Sequence, residues 1–427
     1  MKTVINTKLC PILGAKIMSQ SREEVPVIVQ FNNSSSTLKE NINSLSNSIK
    51  RNLPLIGGFA GLMTTDIIYK IVSNPEIDYI SFDSRVYTLL DIAAPTMDAY
   101  FPHDKGYNGE GITVAVIDTG VAPHNDLTRP NNRIVGFKDM VNNKADPYDD
   151  NGHGTHVAGI IAASGYSSGG KYVGIAPKAN ILGIKALDKS GGGNISDIID
   201  AISYIVATKD KYNTKIINLS LGTPANNSCD KDPLCKAVDM AINAGLIVVV
   251  AAGNSGPEKG TILSPGINKN VITVGAIDDK RTIDPSDDTI APFSSRGPTS
   301  EGLMKPDVLA PGANINSLSN TKLNGYTSLS GTSMATPLVS GSIALLLNKH
   351  KDLSPQDVKN KLIKSSIALD NSPETYGIGV LNLKLLFNDG KDSVEGSIKS
   401  SSSFIDNDLI ETFLMLLIII FLLDSRF

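Results

Sequence analysis

The sequence predicts an α/β protein in which a large domain with a mainly parallel sheet follows a small α+β unit. From Gly111 onward, continuous Val/Ile-rich runs alternate with amphipathic stretches, a pattern typical of parallel strands covered by helices on both faces. Before residue 88, strand-like and helix-like segments follow one another in a shorter and more polar pattern. A chain of 427 residues with 41% apolar side chains is long enough for both parts.

In the small unit, residues 25–31 (VPVIVQF) are predicted to form a strand and residues 35–49 an amphipathic helix. A second predicted helix, residues 65–75, ends at a proline, because the residue before proline disfavours the helical conformation. Residues 77–87 are again strand-like. The large domain then contains alternating strand-like and helix-like runs, which are ITVAVIDTG, HVAGIIAAS, ANILGIKAL, ISDIIDAISYIV, TKIINLSLG, AVDMAINAG and LIVVVAAGN.

Composition limits the partners and the compartment of the protein. A net charge of −4 without any basic run gives no electrostatic basis for binding nucleic acid, so that class is excluded. Three cysteines are too few for a disulfide scaffold. Cys229 and Cys235 are close enough to close a small loop in an oxidising compartment, and two separate thiols remain the alternative. The first 20 residues have no continuous apolar core and no small-residue cleavage site, so we expect no signal peptide there.

Two of the five histidines, His153 and His156, lie three residues apart in NGHGTHVAG. Residues three apart on a helix share a face, so the pair is a candidate metal site. A zinc hydrolase helix spaces its histidines four apart with a glutamate between them, whereas Gly154 and Thr155 intervene here. The local sequence favours a helix that begins near His153, where a side chain can face a cleft, with His156 one turn further in.

Polar residues follow several of the predicted buried strands. Asp118 ends VAVID and Asn254 ends VVVAAGN, and sites in parallel sheets form at the carboxyl ends of strands. Ser333, in GYTSLSGTSMATP, precedes a long apolar helix, and we expect its hydroxyl to be exposed at the helix start. A hydroxyl nucleophile needs an imidazole to take its proton and a carboxylate to orient the imidazole. Asp118, His153 and Ser333 supply one group of each kind.

The segments DTG, NGHGTHVAG, AAGN and GTSMATP, in this order, resemble the four signature segments of subtilisin-like serine proteases. Their order of Asp, His and Ser is also the subtilisin order. The resemblance covers roughly residues 91–388 and implies a three-layer subtilisin-like fold and serine endopeptidase activity on polypeptides. It implies that Ser333 is the nucleophile, His153 the general base and then acid, and Asp118 the group that holds the imidazolium. Asn254 would donate to the oxyanion together with the backbone N–H of Ser333.

The same resemblance implies where the substrate binds. The walls of the pocket for the side chain before the scissile bond are expected at Ser220, Leu221 and Gly222 and at Ala251, Ala252 and Gly253. Gly191, Gly192 and Gly193 resemble the edge that pairs with an extended peptide, with a flexible loop as the alternative. Leu263 aligns with the base of the pocket, where it would favour medium apolar side chains over large aromatic ones.

The resemblance also gives a role to the small unit, which is similar to an inhibitor-type propeptide that assists folding and occupies the cleft until it is cleaved. We expect self-cleavage between Asp83 and Asp91. The expected organisation is an N-terminal extension (1–23), a propeptide domain (24–88), a catalytic domain (91–388), a polar linker (389–408) and a hydrophobic tail (409–427).

No cofactor is expected for the chemistry, and the sequence leaves metal content open. Many relatives hold structural calcium in an Asn-rich loop soon after the catalytic-histidine helix, but the corresponding SGYSSGGKY has neither carboxylate nor asparagine. Asp146, Asp149 and Asp150 are an alternative weak calcium site, and a solvated acidic loop is the interpretation that we favour.

The segment TFLMLLIIIFLL, residues 412–423, is the most apolar run of the chain. As a helix its 12 residues would span about 18 Å, less than the roughly 20 residues that a bilayer core requires. Membrane attachment, with the catalytic domain facing outward, and docking on the protease or on a partner protein are the two interpretations. The protein is accordingly expected to be extracellular or membrane-attached.

Two other functional classes compete with the serine endopeptidase. A catalytically silent relative used for binding would normally have lost a residue of the triad, and all four key residues are present. A cysteine or metal hydrolase would need its ligand or nucleophile at a strand end, and no cysteine ends a predicted strand of the sheet.

Overall fold

A four-stranded antiparallel sheet forms the N-terminal part of the molecule. The computed structural model describes residues 8–18, 24–32, 48–83, 85–88, 96–282, 287–369 and 379–388. The strands are β1 (Glu24–Phe31), β2 (Ser48–Leu53), β3 (Gly58–Thr64) and β4 (Ile77–Phe82), in the order β2-β3-β1-β4. Helices α1 (Pro11–Met18) and α2 (Thr65–Ile71) share a hydrophobic core with the sheet. The side chain of Thr64 caps α2 by accepting a hydrogen bond from the N–H of Ile67.

This unit differs from the prediction in three places. Leu9, Cys10 and Leu13 are buried in its core, so residues 8–18 are part of the unit rather than a separate extension. Most of the predicted helix 35–49 lies outside the described residues, and its last two residues belong to β2. Strands β2 and β3 were not predicted, because β2 is polar, β3 contains two glycines, and the pairing of β3 with β1 and of β2 with β3 depends on tertiary structure.

The large domain is built on a central sheet in which nearly all neighbouring strands are parallel. In sequence order its strands are β6 (Thr113–Asp118), β7 (Ile134–Asp139), β8 (Asn180–Lys185), β10 (Thr214–Leu219), β12 (Ile247–Ala251), β13 (Ile272–Asp278), β14 (Thr289–Ile290), β15 (Val308–Pro311), β18 (Ser366–Ala368) and β19 (Gly379–Leu381). The order across the sheet is β18-β19-β15-β13-β12-β10-β6-β8-β7, and β14 pairs with β13. Only β14 and β18 pair antiparallel among these described strands.

Helices cover both faces of this sheet. In sequence order they are α3 (Tyr100–Asp104), α4 (Asn125–Thr128), α5 (His153–Ala162), α6 (Ile195–Tyr212), α7 (Pro233–Asn243), α8 (Thr332–Lys349), α9 (Pro355–Lys364) and α10 (Leu383–Phe387). One hydrophobic core lies between the sheet and α5, α8 and α9, and a second lies between the sheet and α6 and α7. The predicted three-layer fold with a mainly parallel sheet is confirmed.

Two short sheets complete the described structure. Strands β16 (Ile315–Leu318) and β17 (Tyr326–Leu329) form a hairpin. Strand β5 (Arg85–Thr88) lies between β9 (Gly192–Asn194) and β11 (Leu221–Gly222) and pairs antiparallel with both. The predicted strand 77–87 is therefore two strands, of which β4 belongs to the N-terminal unit and β5 to the surface of the large domain.

The N-terminal unit packs on the helical layer formed by α6 and α7. Ile28, Leu53 and Ala60 of its sheet share a hydrophobic core with both helices. Within the described ranges, no helix is both long and apolar enough to cross a bilayer. The predicted linker (389–408) and tail (409–427) lie outside the described residues.

Candidate active site

Asp118 and His153 are brought together by the parallel order of the sheet. Asp118 is the last residue of β6, and His153 is the first residue of α5. Oδ1 of Asp118 accepts a hydrogen bond from Nδ1 of His153 at 2.8 Å and another from the N–H of Thr119 at 2.7 Å. Both side chains are fully buried. Because Nδ1 donates to the carboxylate, Nε2 is the basic nitrogen of the neutral ring.

The start of α5 is set by the carboxylate of Asp149. Its Oδ1 accepts from the N–H groups of Asn151 and Gly152, and its Oδ2 accepts from the N–H and hydroxyl of Thr155. These bonds satisfy backbone donors at the helix N-terminus, where negative charge is also favourable. Asp149 is buried, so the expected solvated acidic loop is wrong for this residue, although Asp146 and Asp150 are exposed.

Gly154 allows α5 to approach the end of β6. A Cβ atom at this position would lie 2.1 Å from the carbonyl oxygen of Gly120 and 3.0 Å from Cβ of Asp118. The N–H of Gly154 also donates to the hydroxyl of Thr119 at 2.9 Å. A larger residue would push the helix away from the strand and separate His153 from Asp118.

Ser333 is the second residue of α8 and contacts the chain just beyond β10. Its Oγ donates to the carbonyl oxygen of Ser220 at 3.2 Å, and Oγ of Ser220 donates to the carbonyl oxygen of Ser333 at 2.8 Å. Ser333 is fully buried, so the expected exposure of its hydroxyl is wrong for the full-length chain. The sequence could not indicate this, because neighbours distant in the chain determine the burial of a helix start.

Asn254 follows β12, and Thr332 orients its side chain. Oδ1 of Asn254 accepts from the N–H of Thr332 at 2.9 Å and from its hydroxyl at 3.0 Å. The hydroxyl of Thr332 in turn accepts from the N–H of Gly253 at 3.2 Å. With its oxygen held by Thr332, the amide presents Nδ2 as its donor. Sequence reasoning missed Thr332 and Asp149 as orienting groups, although Thr332 adjoins Ser333 and Asp149 lies three residues before the N-cap residue Gly152.

Leu263 lies between the two predicted walls of the substrate pocket. A Cβ atom on Gly222 would lie 2.9 Å from Cβ of Leu263, and one on Gly253 would lie 2.7 Å from its Cγ. The N–H of Leu263 donates to the carbonyl oxygen of Ala252 at 2.9 Å. The structure therefore brings together Ser220–Gly222, Ala251–Gly253 and Leu263, with glycines where the leucine side chain approaches most closely.

The predicted peptide-binding edge pairs with an extended segment of the same chain. Tyr87 of β5 is opposite both Gly192 and Gly222, and Thr88 is opposite Leu221. Gly191 precedes this edge in a turn, where its N–H donates to the carbonyl oxygen of Asp188 at 3.0 Å and its φ is 78°. The edge thus accepts a strand by β-augmentation, with the end of the N-terminal unit as the added strand.

His156 belongs to the core rather than to the site. It is fully buried on α5, and its Nε2 lies 3.1 Å from the carbonyl oxygen of Ile315. Burial, and to a smaller extent the nearby His153, lowers the pKa of His156 to about 3, so this ring is neutral at physiological pH. Among the described residues, no group of three potential metal ligands comes together.

The loop that follows α5 is tied down by protein groups. Oδ1 of Asp126 accepts from the N–H of Ser167 at 2.8 Å, and its Oδ2 accepts from the hydroxyl of Tyr326 at 2.8 Å. The buried guanidinium of Arg133 donates to the carbonyl oxygens of Asp126, Ala162 and Ala179. Burial lowers the pKa of Arg133 to about 10, which leaves it cationic at neutral pH.

Of the two alternatives for the cysteine pair, the structure contains the bridge. Cys229 and Cys235 form a disulfide with a Cα–Cα distance of 5.5 Å at the start of α7. Cys10 is buried in the N-terminal unit and takes no part in this bridge.

Comparison with known proteins agrees with this geometry. Residues 109–380 match the model of the Subtilase family. Serine protease AprX of Bacillus subtilis (strain 168) is 44% identical over 342 residues, which cover 75% of this chain and 76% of AprX. Subtilisin E of the same organism is 32% identical over 399 residues, which cover 90% of this chain and 95% of subtilisin E. The solved structure of Sphericase is 34% identical with a TM-score of 0.55, covering 64% of this chain and 92% of that one. The chain therefore belongs to the subtilase family and is a subtilisin-like serine endopeptidase.

Proposed function

We propose that this chain is a self-processing zymogen that hydrolyses polypeptides through Asp118, His153 and Ser333. The observation that carries the proposal is the buried hydrogen bond of 2.8 Å between Asp118 and His153. It forms at the end of β6, and Ser333 contacts Ser220 just beyond the end of the neighbouring strand β10. A carboxylate in that position holds the imidazole in one tautomer and stabilises the imidazolium.

In the proposed mechanism, Oγ of Ser333 attacks the scissile carbonyl carbon while Nε2 of His153 accepts its proton. The tetrahedral oxyanion receives hydrogen bonds from Nδ2 of Asn254 and from the backbone N–H of Ser333. His153 then protonates the leaving amine, which departs and leaves an acyl ester on Ser333. Water hydrolyses the ester in the second half of the reaction, with His153 again acting as base.

The register of β5 supports a particular self-cleavage site. Thr88 is opposite Leu221 in an antiparallel ladder, and Ser220 is the residue that precedes Leu221. The carbonyl oxygen of Ser220 accepts the hydroxyl of Ser333. We therefore assign the first cut to the bond between Leu89 and Leu90, inside the expected segment and outside the described residues. A leucine before the cut also suits a pocket narrowed by Leu263.

The test compares the wild-type chain with Ser333→Ala and with Ser328→Ala, an exposed serine on β17. We expect wild type and Ser328→Ala to yield a mature chain that starts at Leu90 by mass spectrometry and that reacts with a fluorophosphonate probe. Ser333→Ala should remain full-length, folded and unlabelled, because the oxyanion hole cannot supply a nucleophile. Protease activity in Ser333→Ala would refute the triad, and an active wild type with an uncut N-terminus would refute the zymogen. An unlabelled wild type would favour the catalytically silent alternative.

We also propose that the enzyme works outside the cell. The disulfide between Cys229 and Cys235 supports an oxidising compartment. Attachment of residues 409–423 to a membrane remains a proposal about residues outside the described ranges. If a variant that ends at Asn407 and the full-length chain are equally soluble without detergent, the tail is not an anchor.

A further inference from the structure

We propose that Lys185 is a positioning residue for the catalytic pair, because its ammonium joins the three chain segments that carry Asp118, His153 and the peptide-binding edge. The inference rests on the proposed triad and adds a residue that does not touch the substrate. Lys185 is the last residue of β8, directly opposite Asp118 of β6 in the parallel ladder.

The three hydrogens of the Lys185 ammonium have three acceptors. Nζ donates to the carbonyl oxygen of Thr119 at 2.7 Å, to that of Leu187 at 2.9 Å and to Oδ1 of Asp150 at 2.6 Å. The Lys185 side chain is fully buried, whereas that of Asp150 is 39% exposed. An ammonium can donate three hydrogen bonds, so the buried charge is both paired and fully hydrogen-bonded.

Each acceptor belongs to a segment that the reaction needs. Thr119 follows Asp118 and donates its N–H to Oδ1 of Asp118, the same oxygen that accepts from His153. Asp150 lies in the loop that leads into α5, three residues before His153. Leu187 precedes the turn that leads to β9, where the substrate strand pairs. One buried cation therefore sets the spacing between these segments.

A second contact joins two of the same segments. Nδ2 of Asn151, in the loop before α5, donates to the carbonyl oxygen of Lys189 in the turn before β9 at 3.1 Å. The loop before α5 is thus connected to the segment before β9 twice. Asp150 is connected through Lys185, and Asn151 is connected directly through Lys189. If Lys185 were replaced by an apolar side chain, two carbonyl groups would lose a donor and Asp150 its ion-pair partner.

A purely structural role and a positioning role predict different results. Loss of packing alone would lower stability and leave the titration of His153 unchanged. In a positioning role, the two charges also act on the His153 imidazolium. The positive charge of Lys185 disfavours it, and the negative charge of Asp150 favours it. The ionisable groups around His153 and Lys185 are Asp118, Tyr148, Asp149, Asp150 and His156.

The experiment measures kcat and KM against pH, with a peptide anilide, for the processed enzyme and for Lys185→Met, Lys185→Arg and Asp150→Asn. We expect Lys185→Met to lower kcat about tenfold with little change in KM, because the misplaced pair weakens proton transfer. The acid limb of its kcat–pH profile should move to higher pH by on the order of half a pH unit, because a positive charge is lost. The acid limb of Asp150→Asn should move to lower pH, because a negative charge is lost. Lys185→Arg should recover part of the activity.

Lys178→Met is the matched control, because Lys178 forms an ion pair with Glu110 in which both side chains are more than half exposed. It should match wild type in kcat and in pH profile. The inference is overturned if Lys185→Met and Asp150→Asn keep the wild-type kcat and acid limb, or if both limbs move in the same direction. Should Lys185→Met fail to fold, Asp150→Asn decides by itself through its downward shift. A wild type that does not react with the fluorophosphonate probe refutes the triad itself, whereas a reactive wild type with unchanged variants refutes only the role of Lys185.

Discussion

The catalytic domain and the N-terminal unit use polar contacts in different ways. In the catalytic site, the side chains of Asp118 and His153 are completely buried and hydrogen-bonded to each other. At the interface, Arg51 of the N-terminal unit is 21% exposed and pairs with Asp197 and with Asp200, which is 37% exposed. Exposed ion pairs contribute little and are screened by salt, whereas buried pairs resist both effects. The comparison indicates that solvent and salt reach the polar contacts of the N-terminal unit, in particular the pair with Asp200, more readily than those of the catalytic pair.

The interface between the N-terminal unit and helices α6 and α7 also contains buried contacts. The buried carboxylate of Asp83 accepts hydrogen bonds from the N–H and hydroxyl of Ser196 at the start of α6. Leu53 and Ile28 pack against α6 and α7. An apolar centre with a polar, partly wet rim is the usual composition of interfaces that form and dissociate.

The largest expected effect comes from a substitution in the catalytic domain. We expect Asn254→Ala to lower kcat by about 100- to 1000-fold, because one donor to the oxyanion is lost. This range is the one known from subtilisin itself and is borrowed from it. The exposed Asn270→Ala is the control and should leave kcat unchanged. If Asn254→Ala keeps kcat within a few-fold of wild type, its assigned role is wrong.

The burial of His156 in the catalytic domain predicts that the free energy of unfolding falls at acid pH. The pKa of His156 is about 3 in the folded chain and near 6.5 when unfolded, so below pH 6.5 only the unfolded state binds the proton. Its contribution to the free energy of unfolding is complete above pH 6.5 and falls by about 1.4 kcal/mol per unit down to pH 3. His156→Gln should flatten this loss in denaturant titrations between pH 7 and 4. An unchanged slope, with His350→Gln as control, would contradict the prediction.

At the interface between the N-terminal unit and the catalytic domain, Arg51→Ala should speed the release of the cleaved N-terminal unit. It removes the ion pairs with Asp197 and Asp200 and a hydrogen bond to the carbonyl oxygen of Met140. We expect the lag between self-cleavage and full activity to shorten about tenfold. Lys70→Ala, on the exposed surface of α2, should keep the wild-type lag. Equal lags in both variants would mean that the apolar centre alone controls release.

Leu263 lies in the predicted substrate pocket, beside Gly222 of β11, which pairs with β5. Leu263→Gly should raise the rate on Phe and Tyr substrates relative to Leu substrates by about tenfold, because a pocket contact of this size is worth roughly 1–3 kcal/mol. The ratio of kcat/KM values measures the change, with the exposed Leu323→Gly as control. An unaltered ratio would show that Leu263 does not limit the pocket.

The smallest expected effect concerns structural calcium. Asp126, Tyr326 and Arg133 hold the loop after α5 through protein hydrogen bonds. We therefore expect a chelator to change the midpoint of thermal unfolding by less than about 2 °C, whereas a structural metal would stabilise the chain by mass action. A larger drop that added calcium reverses would reveal a site elsewhere in the chain.

Much of the catalytic domain could be predicted because its information is local. Continuous apolar runs such as VAVID and LIVVVAAGN already indicate buried parallel strands, and the carboxyl ends of such strands meet at one edge. The N-terminal unit was predicted less well, since β3 pairs with β1 and β2 pairs with β3, and the sequences of β2 and β3 have weak local signals. The packing of Leu13 against that sheet likewise depends on residues far away in the sequence.

The sequence by itself predicted the subtilisin-like class and the parallel sheet, and it singled out Asp118, His153, Ser333 and Asn254 as candidates, because strand periodicity and signature motifs are patterns within the sequence. Only the tertiary structure decided that Ser333 is buried in the full-length chain and that β5 fills the peptide-binding edge. It alone also revealed the hydrogen bonds that Thr332, Asp149 and Lys185 make to Asn254, to Thr155 and to the carbonyl oxygen of Thr119. Hydrogen bonds and burial of this kind depend on atoms from segments that only folding brings together, so no local pattern encodes them.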